Sequence, residues 1–174
     1  ANIIKVENVL HALQQIAAFH RHRFQYPVIG ITGSNGKTTV KEWLFQLLNN
    51  DYNIVRSPKS YNSQVGVPLS VWNMSESHTL GIFEAGISLP GEMDQLQHII
   101  DPEIGVFTYI GDAHAEGFEY PVQKVSEKLK LFIKSKVLIY CADDERMQDS
   151  VLDFKETHHN TLQLFGWSRK QGTT

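Results

Sequence analysis

The chain has 174 residues, of which 41% are hydrophobic and 20% charged; that is enough for one domain with a sizeable core and excludes wholesale disorder. Lys and Arg number 16 against 19 Asp and Glu, a net charge of −3, which argues against a non-specific nucleic-acid binder. Cys141 is the only cysteine, so an internal disulfide and a cysteine-based zinc site are ruled out, and no apolar run approaches the ~20 residues of a membrane span. Lys5 and Glu7 interrupt the apolar N-terminal residues, which is not a signal-peptide pattern. The expected compartment is therefore the cytoplasm. Ala1 at the start and Gly172-Thr173-Thr174 at the end read as the limits of an excised piece.

In chain order, Val6, Val9, Leu10, Leu13, Ile16 and Ala17 recur at helical spacing, which predicts a helix over residues 6–22. Its last turn is basic, suiting the negative end of the helix dipole. Pro27 ends that pattern, and the β-rich run Val28–Thr32 reads as a strand. A glycine loop follows, then a helical pattern from Lys37 to about Asn50. Tyr52–Val55 reads as a strand, Ser57–Gly66 as a polar loop and Val67–Asn73 as a helical turn. Leu80–Glu84 is a strand, residues 91–100 a helix and Ile104–Ile110 a strand. Gly111–Pro121 is a polar loop. Val122–Lys134 is a helix, Val137–Cys141 a strand, Asp144–Leu152 a helix and Thr161–Phe165 a last strand. Strands alternating with helices predict an α/β fold with a mostly parallel sheet and helices on both faces. No linker, internal repeat or low-complexity tract divides the chain.

Gly30-Ile31-Thr32-Gly33-Ser34-Asn35-Gly36-Lys37-Thr38-Thr39 carries most of the functional signal. Glycines allow a tight turn whose successive N–H groups face one concavity, and that concavity at a helix N-terminus suits phosphate oxygens. Gly33, Ser34, Asn35, Gly36, Lys37, Thr38 and Thr39 are the candidate nucleotide contacts. Lys37 would meet the β/γ-phosphates and the Thr38 hydroxyl a Mg²⁺ ion. The loop departs from the generic phosphate-loop pattern, which has a glycine where this chain has Ile31. A plain strand-to-helix turn is the alternative, but a strand before and a helix after favour a nucleotide site of the P-loop NTPase type.

Ligands of open α/β sheets gather at the carboxyl ends of strands. Glu84 ends the strand Leu80–Phe83 and is suited to Mg²⁺, with an N-cap or surface acid as the alternative. His114 follows the strand Ile104–Ile110, with Asp112 and Glu116 equally placed. Lys128 shares a predicted helix with Lys124, Lys130 and Lys134, which by itself reads as a solvated face. His158 and His159 are read as surface residues, as are the remaining histidines. Trp43, Phe45, Leu48 and Cys141 are read as core.

Together these segments resemble the central ATP-binding domain of the Mur ligases, the amide ligases of peptidoglycan precursor synthesis. The resemblance runs through the glycine loop, then Asn62-Ser63-Gln64-Val65-Gly66-Val67-Pro68, Phe83-Glu84-Ala85-Gly86, Ile110–Phe118 and Glu127-Lys128-Leu129-Lys130-Leu131-Phe132. Ser60, Ser63 and Cys141 stand where the family commonly has asparagine. Leu10–Ala17, Arg21–Phe24 and Val40-Lys41-Glu42 are most similar to the branch that adds D-alanyl-D-alanine to UDP-N-acetylmuramoyl-tripeptide. Ser57–Asn62 resembles the proteins that fuse such a ligase to an alanine racemase.

The resemblance implies a linker helix over residues 1–26 and an ATP-binding domain over 27–174, with flanking N- and C-terminal domains outside the chain. It implies ATP and two Mg²⁺ ions, one held by Thr38 and Glu84. His114 and a carbamoylated Lys128 would help hold the other, and Asn62 would contact substrate. The implied reaction activates a substrate carboxylate as an acyl phosphate, which an amine then attacks. Lys37, Lys128 and His114 are its implied catalytic groups. The partners are the two small-molecule substrates and the missing domains, with no nucleic acid and no membrane span; this piece alone is expected to be inactive. The rival readings are another Mur or folylpolyglutamate-type ligase, a phosphate-loop kinase and a non-catalytic nucleotide-binding module.

Overall fold

The computed structural model describes residues 3–111, 118, 120–158 and 161–168. The first helix, α1 (Val9–Arg21), starts later than its apolar spacing predicts because Asn8 caps it. The Asn8 backbone is extended, and its side chain accepts a bond from His11 N at 3.0 Å, which fixes the start. Then come β1 (Val28–Thr32), α2 (Lys37–Leu48), β2 (Ile54–Arg56), α3 (Gly66–Val71), β3 (Leu80–Glu84), α4 (Glu92–Ile100) and β4 (Ile104–Phe107). The rest is α5 (Pro121–Leu129), a 3-10 turn (Lys130–Phe132), β5 (Val137–Cys141), α6 (Glu145–His158) and β6 (Gln163–Trp167).

The six strands form one sheet in the order β2-β3-β1-β4-β5-β6, and every pair is parallel. The central strands are buried on both sides. All five residues of β1 and of β3 are buried, so they read as continuous apolar runs rather than alternations.

Handedness explains where the helices go. A parallel crossover is right-handed, so the direction of travel across the sheet decides which face its helix covers. Only the β1-to-β2 connection moves toward the β2 edge; the four later ones move the other way. Accordingly, among the described residues, α2 alone covers one face, with Val40, Leu44 and Leu48 over Ile29, Ile31, Leu80, Ile82 and Val106. The opposite face carries α1, α3, α4, α5 and α6 over a larger core that includes Phe83, Phe107, Phe132 and Leu138. The chain therefore leaves β1 and β3, which are neighbours, toward opposite faces. That opens a crevice at their carboxyl ends, where ligands of such sheets bind.

Several local expectations change. The helix predicted to Lys134 ends as α5 at Leu129 and tightens into the 3-10 turn, so Lys134 lies beyond it. The strand predicted to Ile110 stops at Phe107, because Thr108 turns its side chain to the glycine loop. The last helix runs on to His158 rather than Leu152. Trp43 was expected in the core but is 61% exposed, on the side of α2 away from the sheet. Phe45 lies under the Arg56 guanidinium, 3.7 Å from its ring centre, while Leu48 and Cys141 do pack inside. His20 is not a free surface residue. It packs against Phe24 and Trp72 and bonds the Met74 carbonyl at 3.0 Å. His158 is exposed and stacks on Phe154.

The buried Arg21 fastens α1 to the far end of the sheet. Its guanidinium donates to the carbonyls of Ile100 (2.9 Å), Phe24 (2.9 Å) and Asp101 (3.2 Å). Among the described residues no helix is long and apolar enough to cross a membrane.

Candidate functional site at the carboxyl edge of the sheet

The glycine loop joins β1 to α2. Gly33 has φ +143° and Gly36 φ +83°, conformations that glycine adopts readily. At Gly33 a Cβ would also lie 2.0 Å from Thr108 Oγ1, so the position excludes any side chain. Thr108 holds the loop in place. Its hydroxyl bonds the Asn35 carbonyl at 2.6 Å and lies 3.2 Å from the Thr32 carbonyl. Ser34 N donates to the Tyr109 carbonyl at 2.7 Å. Gly36 caps α2 without a side-chain bond. The first N–H groups of α2 thus lack a capping side chain, which is what an anion at a helix N-terminus requires. The Ser34 hydroxyl is buried without a partner among the described residues, and Thr39 is exposed.

Three lysines converge on this loop. They line a cavity of about 230 Å³ with Gly33, Ser34, Asn35, Gly86, Ile87 and Gly111. Lys37 Nζ donates to the carbonyls of Gly33 (2.9 Å) and Ser34 (3.4 Å). Burial lowers its pKa and Lys124 adds to that, against the opposing pull of Glu84. Lys128 is only 2% exposed, and its Nζ donates to the Gly33 carbonyl at 3.2 Å. Burial first, then the charges of Lys37 and Lys124, bring its pKa down to about 7. The solvated-face reading of Lys128 is therefore corrected. Lys130 does face outward, paired with Asp94 and Glu127.

Opposite the lysines stands Glu84, wholly buried at the end of β3. The register pairs it with Ile31 of β1, two residues before Gly33. The Thr38 hydroxyl donates to Glu84 Oε2 at 3.0 Å. Two ligands at right angles on an octahedral Mg²⁺, each at about 2.1 Å, are separated by about 3.0 Å, so this pair fits such an ion. Asn62 Nδ2 reaches the same oxygen at 3.5 Å, and the Asn62 carbonyl accepts from Gly86 N at 2.8 Å. Among the described residues no three His, Cys, Asp or Glu side chains cluster as metal ligands. An ion here would take its remaining ligands from phosphate and water, as Mg²⁺ commonly does.

The structure thus brings together Gly33, Ser34, Asn35, Gly36, Lys37, Thr38, Glu84, Asn62 and Lys128. His114, Asp112 and Glu116 lie outside the described residues. Three participants escaped the sequence reading. Thr108 supports the loop, Ser57 accepts from Glu84 N through its hydroxyl at 3.1 Å, and Lys41 meets Glu84 Oε1 at 3.0 Å. Thr108 gave no signal in the sequence, because it fell inside the strand predicted to Ile110, and the structure ends that strand at Phe107.

Strand order, glycine loop and paired threonine and glutamate define an α/β domain of the phosphate-loop class. The Mur ligase middle domain family matches residues 31–173, and the chain belongs to that family. It is 32% identical over 179 residues to the UDP-N-acetylmuramoyl-tripeptide–D-alanyl-D-alanine ligase of Bacillus subtilis, covering 99% of this chain and 39% of the relative. The Treponema pallidum protein of the same name is 39% identical over 131 residues, covering 75% and 28%. Among solved structures, MurF ligase from Thermotoga maritima in complex with ADP superposes with a TM-score of 0.82 at 28% identity, covering 98% of this chain and 39% of that one. MurF from Acinetobacter baumannii gives 0.83 at 26% identity, covering 94% and 36%. The chain therefore spans about two fifths or less of these relatives. Folylpolyglutamate synthase from Mycobacterium tuberculosis, at 13% identity and a TM-score of 0.71, shares the fold.

Proposed function

We propose that this chain is the ATP- and Mg²⁺-binding part of a cytoplasmic ligase that adds D-alanyl-D-alanine to UDP-N-acetylmuramoyl-tripeptide. The observation that carries the reading is the pairing of Thr38 with Glu84 at 3.0 Å beside the glycine loop and its lysines. The names of the relatives supply the substrate class. Residues 1–26 are the linker helix and 27–174 the nucleotide domain, with the flanking domains elsewhere in the full-length protein.

The chemistry follows from charge. A substrate carboxylate attacks the γ-phosphorus of ATP, its O–P bond forms as the β–γ bridge breaks, and ADP leaves. The amine of the dipeptide then attacks the acyl carbon, and phosphate departs as the amide forms. Attacker and target in the first step are both anions. The loop N–H groups and Lys37 offset the negative charge on the β- and γ-phosphates. For that, Lys37 exchanges its bonds to Gly33 and Ser34 for phosphate oxygens. Mg²⁺, when bound, screens the remaining repulsion; Thr38 and Glu84 would hold it. Lys128 is read as the carbamoylated lysine, and its fit rests on this site. A buried amine with a pKa of about 7 has a substantial unprotonated fraction at neutral pH, far larger than an ordinary lysine's, and can attack CO₂. The carbamate would reverse its charge and, with His114, hold a second ion. Asn62 sits beside the same carboxylate, where it can contact substrate.

The test is phosphate release by the full-length protein with ATP, Mg²⁺, the UDP-linked tripeptide and D-alanyl-D-alanine, each omitted in turn. Release that requires all four is the expected result, with ADP as co-product. Release with a different amino component moves the assignment to another ligase of the family. No release in any combination refutes the ligase reading. The isolated chain is expected to bind nucleotide without turnover, since the parts that carry the UDP-linked substrate are not in it.

A further inference from the structure

Lys41 is among the least exposed residues of the molecule, although it is a lysine. Its side chain and that of Glu84 are both 0% exposed. Its Nζ lies 2.8 Å from the Ser57 carbonyl, in contact with the Lys59 carbonyl, 3.2 Å from Glu42 Oε1 and 3.0 Å from Glu84 Oε1. The Glu84 contact is an ion pair off the axis of an aligned hydrogen bond. A buried ion pair is weak evidence for stability, because packed apolar side chains often serve as well. A fully buried lysine at the junction of α2, β3 and the loop after β2 therefore points to a positional role.

The two oxygens of Glu84 are used differently. Oε1 faces the Lys41 ammonium, while Oε2 faces Thr38 Oγ1 at 3.0 Å and Asn62 Nδ2 at 3.5 Å. Thr38 and Lys41 lie three residues apart on α2, hence on one face. One helix face thus addresses both oxygens of one carboxylate, one with a hydroxyl and the other with a charge. The backbone of Glu84 is held as well, by the Ser57 hydroxyl. Rotation that would offer both oxygens to one ion breaks the Lys41 pair.

We propose that Lys41 is a positioning residue that restricts Glu84 to one-oxygen coordination, so that the nucleotide site selects Mg²⁺ over the larger Ca²⁺. The inference rests on the reading of Glu84 as the metal carboxylate. Mg²⁺ takes a rigid octahedral set and one oxygen per carboxylate, whereas Ca²⁺ accepts both. Tying one oxygen to an ammonium leaves the arrangement that Mg²⁺ prefers.

The test measures ADP affinity by calorimetry in the full-length protein and its Lys41→Met variant, with EDTA, Mg²⁺ or Ca²⁺. The two proteins should bind ADP alike in EDTA. The gain from Mg²⁺ relative to that from Ca²⁺ should fall about ten-fold or more in the variant, the usual scale for losing an outer-sphere partner. An unchanged ratio overturns the proposal, as does a loss shared equally by EDTA, Mg²⁺ and Ca²⁺. No gain from any divalent ion in the wild type overturns both this inference and the metal reading of Glu84. Should Lys41→Met not fold, the crystal structure of the wild type with ADP and Mg²⁺ decides. Lys41 on Oε1 with the ion on Oε2 supports the proposal, and both oxygens on the ion, or Lys41 displaced from Oε1, refute it.

Discussion

Replacing Gly33 by alanine probes how the phosphate loop is held. The added Cβ would stand 2.0 Å from Thr108 Oγ1 and 3.1 Å from Tyr109 N and O. The φ of +143° costs a non-glycine residue about 1–3 kcal/mol. Forcing a methyl into filled space costs a further ~1–3 kcal/mol, so Gly33→Ala should destabilise by about 4 kcal/mol. Thr108→Ala removes the hydroxyl that donates to Asn35 O beside Thr32 O, at about 1 kcal/mol for that bond. The double variant keeps the backbone strain, the lost bond and the tight Tyr109 contacts but loses the 2.0 Å clash with Oγ1. It should therefore cost about 2 kcal/mol less than the sum of the single changes, a coupling of the size contacting residues show. Urea unfolding of the four proteins, followed by circular dichroism, measures it. Additive costs, or a Gly33→Ala cost below about 1 kcal/mol, would show that the loop is not fixed by Thr108 as described.

Lys128→Met should stabilise the bicarbonate-free and nucleotide-free chain. Burial lowers the folded pKa of Lys128 to about 7, below its unfolded value, so the unfolded chain binds more protons between the two values and stability rises with pH there. The shift bounds the penalty of the charged form at about 5 kcal/mol; a gain of about 1–3 kcal/mol at pH 6 that vanishes above pH 10 is expected, and a pH-independent difference between melting curves would contradict it. Lys37→Ala should abolish nucleotide binding, read by calorimetry on the full-length protein, while leaving its melting temperature within a few degrees; intact binding would remove Lys37 from the site. Arg21→Ala strips three backbone carbonyls of their donor and should cost about 3 kcal/mol in urea unfolding. A cost below about 1 kcal/mol would mean that water replaces the guanidinium.

The signals that were legible in the sequence are local. The apolar runs of β1 and β3, the glycine spacing and the position of Glu84 at a strand end each occupy a few consecutive residues, and they predicted the crevice. Lys41 was illegible because, four residues after Lys37 on a helix, it looks like any surface lysine. Its burial depends on Ser57 and Glu84, which reach it only through the fold. Lys128 looked solvated for the same reason: its neighbours Gly33 and Lys37 are distant in sequence, and only the family resemblance singled it out. Trp43 misled in the opposite direction, since helical spacing cannot tell which side of α2 meets the sheet. The ends of α1 and β4 moved because single side chains, Asn8 and Thr108, impose boundaries that apolar spacing does not register.

The single crossover toward the β2 edge leaves α2 as the sole cover of its face among the described residues, and α2 is also the helix that carries Lys37, Thr38 and Lys41. Local opening and site integrity are therefore one event. When α2 lifts, the amides of β1 and β3 beneath it lose shelter in the same excursion that scatters the phosphate-binding groups. Amide hydrogen exchange would report this as one cooperative unit, set apart from the five-helix side. A ligand at the N-terminus of α2 should slow exchange along the whole helix and under it, while α4 and α6 keep their own rates. Occupancy could then be followed in living time, without turnover and without a label, from the protection of a single helix.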